Sequence, residues 1–138
     1  MPENGSSGAI RIAPGLLDRL LAEARAAHPE ECCGLLLGMD GAIESILPAA
    51  NVAADRRRHF EIDPATLLAA HRRARAGGPQ VVGYYHSHPG GAPQPSATDR
   101  EHSTGDLRIW AIVAAAQVAF WRDTVNGFIT VACREVDE

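Results

Sequence analysis

A chain of 138 residues with 46% hydrophobic and 22% charged side chains has the composition of an ordinary globular protein and enough length for one sizeable core. Its formal net charge of −4 removes any electrostatic case for nucleic-acid binding by the chain as a whole. Three cysteines, two of them adjacent (Cys32, Cys33), with no C-x-x-C spacing, exclude a disulfide framework and a Cys-based zinc finger, and the sequence shows neither an apolar leader nor a membrane-length apolar run, so a soluble, cytoplasmic, reduced protein with no membrane contact is expected.

Residues 1–8 are small and polar and are expected to be a disordered tail, leaving a single domain over 9–138. Ala9–Ile12 reads as a short first strand. From Pro14 the period turns helical: Leu16, Leu17, Leu20, Leu21, Ala24 and Ala27 share one side, and Pro29 stops the helix near Ala27. Cys33–Gly38 is a short apolar run between turn signals, hence a buried strand, and Asp40-Gly41 signals a hairpin into a return strand over Ala42–Leu47. After a loop over Pro48–Ala54, Arg57–Ile62 alternates enough for another strand. Asp63-Pro64 is an N-cap followed by a first-turn proline, and Gly77-Gly78 ends the helix they begin. Val81–His86 is a strand, Ser96 to about Ser103 a short helix, and Leu107–Ala114, Gln117–Arg122 and Gly127–Val136 are strands, the last two joined by an Asn126-Gly127 turn. This order specifies an α/β domain with a mixed, largely antiparallel central sheet flanked by helices.

The chemistry concentrates at the end of the Val81–His86 strand. His86 and His88 are two apart and project to the same side of extended chain. A Gly- and Pro-rich loop leads to Ser96 and Asp99, whose three-residue spacing places both on one face of a helix. Two imidazoles and a carboxylate make a three-ligand site for an ion such as Zn²⁺, with a fourth position open to water, the pattern of a catalytic rather than a structural metal. An activated water needs a base that is not itself a ligand. The candidate is Glu31, which ends the loop entering the Cys33–Gly38 strand.

Glu31-x-Cys33-Gly34, followed far downstream by His86-x-His88-Pro89, seven residues, and Ser96-x-x-Asp99, resembles the JAMM motif of the MPN (Mov34/PAD-1) metalloproteases, with the small prokaryotic single-domain members as the nearest type. The resemblance runs from about residue 10 to 135 and matches at every motif position. It implies the MPN/JAB1, cytidine-deaminase-like fold. It also implies one Zn²⁺ per chain held by His86, His88 and Asp99, Glu31 as general base and acid, and Ser96 as hydrogen-bond donor to the developing oxyanion or the bound water. The activity implied is that of a metallopeptidase or isopeptidase hydrolysing a bond at the C-terminal Gly-Gly region of a ubiquitin-like or ThiS/MoaD-like sulfur-carrier protein. The seven residues between Asp99 and Leu107 leave no room for a large insertion to grip a second ubiquitin.

Competing readings stand beside these. A His-x-His pair also occurs in ordinary turns, Ser96-x-x-Asp99 has the form of a helix capping box, and Glu30 and Glu31 read equally as solvated acids. Cys33 reads as a small buried residue, with no separate base to make it a nucleophile. His28, His59 and His71 carry no ligand spacing, and His102 is at most a neighbour of Asp99 on the short helix. Arg56-Arg57-Arg58 and Arg72-Arg73 are solvated faces or a dock for an acidic ubiquitin-like partner. Trp110 and Trp121 read as core or sheet-face residues, with nothing in the sequence placing either near the site. A non-catalytic scaffold on the same fold is the rival function, and a RadC-like DNA-associated protein, which shares the His-x-His-Pro…Ser-x-x-Asp segment, is disfavoured by the acidic charge.

Overall fold

The apolar runs and their breakers set the element order in the computed structural model, which describes residues 9–136. The expectation for residues 1–8 lies outside the described residues. The order is β1 (Ile10–Ile12), α1 (Leu16–Ala27), β2 (Cys33–Met39), β3 (Ala42–Ala49), α2 (Pro64–Arg75), β4 (Gln80–Ser87), α3 (Ala97–Glu101), β5 (Ile109–Ala114), β6 (Gln117–Thr124), β7 (Gly127–Thr130) and β8 (Cys133–Glu135). The eight strands form one sheet in the order β7-β6-β5-β4-β2-β3-β1-β8. Pairing is antiparallel for β2–β3, β2–β4, β5–β6 and β6–β7 and parallel for β1–β3, β1–β8 and β4–β5, so the sheet is mixed with the antiparallel pairs in the majority. No helix among the described residues is long and apolar enough to cross a membrane.

Period-two alternation sends the strand side chains to two different cores. On one face Leu36, Tyr85, Ile109, Ala111, Val113 and Phe120 pack with Leu16 and Leu20 of α1. On the other, Leu35, Leu37 and Val81 pack with Ala70 of α2. Helix α1 starts two residues later than its proline suggests, because Gly15 caps it in a left-handed conformation at φ 84°. The Glu135 carboxylate of β8 accepts from the Gly15 N–H at 3.0 Å, a favourable charge at a helix N-terminus. Helix α2 begins as the sequence requires, with the Asp63 carboxylate accepting from Ala65 N–H.

Two strand expectations fail. Arg57–Ile62 forms no ladder: a turn occupies its start, and its one pairing is an isolated Asn51–Ile62 bridge. The side chain of Asn51 takes the groups a ladder would use, donating to His59 C=O at 3.0 Å and accepting from Glu61 N–H at 3.1 Å. Gly127–Val136 is two strands rather than one. It leaves β6 after Val131, whose N–H reaches Phe120 C=O, and joins β1 where Ile10 N–H reaches Ala132 C=O. Consecutive strands β7 and β8 therefore hold opposite margins of a curled sheet.

Gly34 is required by packing. A Cβ there would meet the Tyr85 ring at 2.4 Å and the Leu47 carbonyl at 2.5 Å, and Tyr85 is fully buried. Overpacking of this kind costs roughly 1–3 kcal/mol. Gly34→Ala is expected to lower unfolding free energy by about that amount in urea titration. Gly41→Ala, which meets nothing within 4 Å, is expected to cost only the strain of its left-handed φ of 79°.

Candidate metal centre

The register of β2 against β4 assembles the site. Cys33 pairs with His86 in this antiparallel ladder. The pairing continues past the strand end, with Ser87 N–H to Cys32 C=O at 3.2 Å and Cys32 N–H to Ser87 Oγ at 2.9 Å. Glu31 and His88 lie just beyond this last pair, close enough to interact electrostatically and to line one groove. Directly opposed residues share a face of an antiparallel pair, as do residues two apart along a strand, so Glu31, Cys33, His86 and His88 occupy one corner. Helix α3 completes it. Ser96 is its N-cap, Ser96 Oγ accepts from Asp99 N–H at 3.0 Å, and Asp99 Oδ2 accepts from Ser96 N–H at 2.9 Å. This reciprocal capping box fixes the Asp99 rotamer and aims its carboxylate at the histidines.

The three potential ligand atoms form a nearly equilateral triangle. His86 Nε2 is 3.0 Å from His88 Nε2 and 3.1 Å from Asp99 Oδ2, and His88 Nε2 is 3.2 Å from Asp99 Oδ2. A tetrahedral ion with bonds of about 2.05 Å sets its ligand atoms about 3.3 Å apart, so the donor set fits such an ion with little adjustment. The His88 Nδ1–H donates to Ala92 C=O at 2.9 Å, which leaves the Nε2 lone pair facing the centre of the triangle. His86 has no such bond: its Nδ1 is buried without a partner, and packing holds its ring. Phe60 stacks on it at 4.2 Å and Trp110 stands edge-on at 5.8 Å.

Burial opposes the charge on His86 and lowers its pKa, despite the Asp99 carboxylate, so the ring is neutral, the form that offers a lone pair. Burial works to raise the Asp99 carboxyl, but the two imidazole nitrogens beside it, whenever they carry a proton, and the Ser96 N–H hold it well below the usual carboxylate range. Glu31 goes the other way. It is 6% exposed, and burial pushes its pKa from an ordinary 4.5 up to about 7, with His88 opposing and Asp99 assisting the rise. Glu31, His88 and Ser96 line one groove of about 450 Å³. Cys33 is buried, and burial drives its thiol up to about 12, so it holds no thiolate at neutral pH.

The structure brings all five motif residues together and adds four that pattern reasoning missed. Phe60 and Trp110 pack on His86, and Trp121 Nε1–H donates to Pro93 C=O at 3.2 Å, holding the loop between His88 and Ser96. The tryptophans, read from the sequence as core or sheet-face residues, thus also support the site. Asn51 donates to Glu31 C=O and His59 C=O, both at 3.0 Å, and accepts from Ala53 and Glu61 N–H. The only local signal for Asn51 is a polar amide inside an otherwise apolar loop, Ala49-Ala50-Asn51-Val52-Ala53. His102 meets Asp99 through its own backbone N–H, as the cap of α3. The link from α3 to β5 is as short as its sequence requires and is pinned by buried Asp123, which accepts from the Ser103 hydroxyl and from Thr104 N–H.

A family model described as prokaryotic homologs of the JAB domain matches residues 13–124. The chain is similar to the desampylase of Haloferax volcanii, with 36% identity over 105 residues, 72% of this chain and 76% of that one. It is also similar to the CysO-cysteine peptidase of Mycobacterium tuberculosis, with 32% identity over 103 residues, 72% of this chain and 69% of that one. The fold matches that of a JAB1/MPN domain protein from Archaeoglobus fulgidus, with a TM-score of 0.60 and 23% identity over 95% of this chain and all of that one.

Two outcomes follow from this geometry. Zn²⁺ added to chelator-treated protein is expected to stabilise it by about 2.7 kcal/mol at a hundredfold excess over the dissociation constant, read as a rise in Tm that Asp99→Ala abolishes. In the metal-free protein Glu31 binds its proton more tightly folded than unfolded, so its contribution to stability is intact below pH 4.5 and lost as pH rises to about 7. Glu31→Gln is therefore expected to match wild type near pH 4 and to exceed it by up to about 3 kcal/mol at pH 8 in denaturant titrations.

Proposed function

This chain belongs to the family of prokaryotic homologs of the JAB domain, and on that premise we propose that it is a zinc-dependent hydrolase cutting a peptide or isopeptide bond at the C-terminal Gly-Gly region of a ubiquitin-like or sulfur-carrier protein. The observation that carries the reading is the ligand triangle of His86, His88 and Asp99 with Glu31 beside His88 in the same groove. The substrate class is supported by the names of two relatives, a desampylase and a CysO-cysteine peptidase.

His86 Nε2, His88 Nε2 and Asp99 Oδ2 would hold a zinc ion, which would supply Lewis acidity to a carbonyl and to water. The remaining chemistry belongs to the chain. The Glu31 carboxylate accepts a proton from the attacking water and returns it to the departing nitrogen. Burial that favours its protonated form suits a group that must take up a proton and give it back. Ser96 uses an oxygen lone pair to cap α3, which leaves its O–H proton free to donate. Pointed into the groove, that proton meets the carbonyl oxygen as negative charge develops on it. The capping and catalytic readings of Ser96 are thus compatible in one rotamer. A Gly-Gly tail suits the groove because it brings no side chains past the small walls at Gly91 and Ala92.

With a carrier protein bearing a C-terminal extension as substrate and mass spectrometry as readout, Glu31→Ala is expected to keep zinc and lose about 10²–10⁴ in rate. Ser96→Ala is expected to lose about 10²–10³ in kcat and about 1 kcal/mol of stability through the lost cap. Wild-type turnover by Glu31→Ala would remove Glu31 from the mechanism, and failure of the wild type to bind metal at neutral pH would favour a non-catalytic module.

A further inference from the structure

We propose that Arg57 and Arg58 form a carboxylate subsite in the groove beside the metal centre. The substrate they select carries its leaving residue in an ordinary peptide linkage, with a free C-terminal α-carboxylate. The inference rests on the hydrolase reading above and deepens it by naming the class of bond.

Three consecutive arginines leave β3 in the turn that replaces the expected strand, and they differ in use. Arg56 is neutralised by Glu30 at 3.2 Å. Arg57 and Arg58 instead line the groove that holds Glu31, His88 and Ser96. Arg58 has only a loose contact with Asp55, at 3.8 Å with its side chain 82% exposed, and Arg57 has no ion pair among the described residues. The turn is fastened rather than free. Arg56 C=O accepts from Glu31 N–H at 2.8 Å, Asp55 C=O accepts from Arg58 and His59 N–H, and Asn51 ties Glu31 C=O to His59 C=O. The same bonds therefore set where the backbone of Arg57 and Arg58 stands relative to Glu31, so both side chains start from a fixed place at the groove.

Reach then decides which anion. When a C-terminal residue departs, its carboxylate sits two bonds from the departing nitrogen. When a lysine side chain departs, four methylenes follow the nitrogen and no charge lies that close. Guanidiniums in the groove that holds Glu31 and Ser96 discriminate between these leaving groups, and they pair with carboxylates in a bidentate geometry. A larger groove of about 610 Å³ approaches His86 from the Phe60 side, but it is lined by Glu61, Asp106 and Asp123, the wrong sign for an acid. In the reaction, water's OH joins the glycine carbonyl carbon, the C–N bond breaks, and water's remaining proton goes to the nitrogen, releasing an amino acid whose carboxylate the arginines hold.

The test uses three labelled peptides: one ending Gly-Gly-Ala with a free carboxylate, the same peptide as its C-terminal amide, and one whose Gly-Gly is joined to a lysine Nζ. Zinc-loaded full-length protein is expected to favour the free acid over both others at least tenfold in kcat/KM, mainly through KM. The preference is expected to collapse in Arg57→Ala/Arg58→Ala and to return in part with lysine at both positions. Equal rates on acid and amide, or a preference that survives in the double alanine variant, overturn the subsite. Calorimetric binding to Glu31→Gln protein decides the matter separately. If no peptide is cut, the hydrolase reading fails, while tenfold tighter binding of the acid still supports the subsite and equal or absent binding of acid and amide removes it.

Discussion

The antiparallel pairing of β2 with β4 is the constraint on which the site depends. It brings two sequence spacings, Glu31-x-Cys33 and His86-x-His88, to one end of the sheet, because the ladder that matches Cys33 to His86 stops just short of Glu31 and His88. The sheet places the strand ends, and the loop finishes the placement of the base: Glu31 N–H donates to Arg56 C=O, and Glu31 C=O accepts from the Asn51 amide. The buried strand below carries that register into the core, where Leu36 and Tyr85 face α1 and Leu35 and Val81 face α2. A one-residue slip would turn both sets of side chains over at once.

Several groups in the corner serve structure and chemistry together. The bonds that cap α3 also orient Asp99, and Asn51 holds the Glu31 carbonyl while organising the arginine turn. Glu31 shows the conflict between the two demands. Its burial destabilises the ionised carboxylate and so costs stability in the metal-free protein at neutral pH, yet the same burial brings the group to a proton affinity useful for transfer. A bound dication would offset that cost by giving the carboxylate an opposite charge to face.

The ladder-forming segments and the five motif residues were legible because their signals are local or repeat at fixed spacing. The Asp63-Pro64 helix start, the Asp40-Gly41 hairpin and the His86/His88 pair each act within a few residues. Most of the failures turn on partners that only the folded chain brings together. Arg57–Ile62 alternates like a strand, but the Asn51 amide captures its backbone groups. Gly127–Val136 reads as one strand because nothing in it announces that β6 and β1 compete for its two halves. Phe60, Trp110 and Trp121 were invisible as site residues since stacking on His86 or binding Pro93 requires knowing which strands are neighbours. The turn from β5 to β6 is equally silent: Ala115 and Ala116 both adopt positive φ, at 52° and 61°, where Asn or Gly is usual.

The split at Val131–Ala132 also bears on how molecules meet in solution. A curled sheet whose first and last members are successive pieces of one chain presents margins of only four and three residues. Short margins give an incoming strand from another copy few backbone groups to zip onto, which is one of the ways proteins suppress edge-to-edge aggregation. Strand-to-strand association through these two margins is accordingly confined to a few residues.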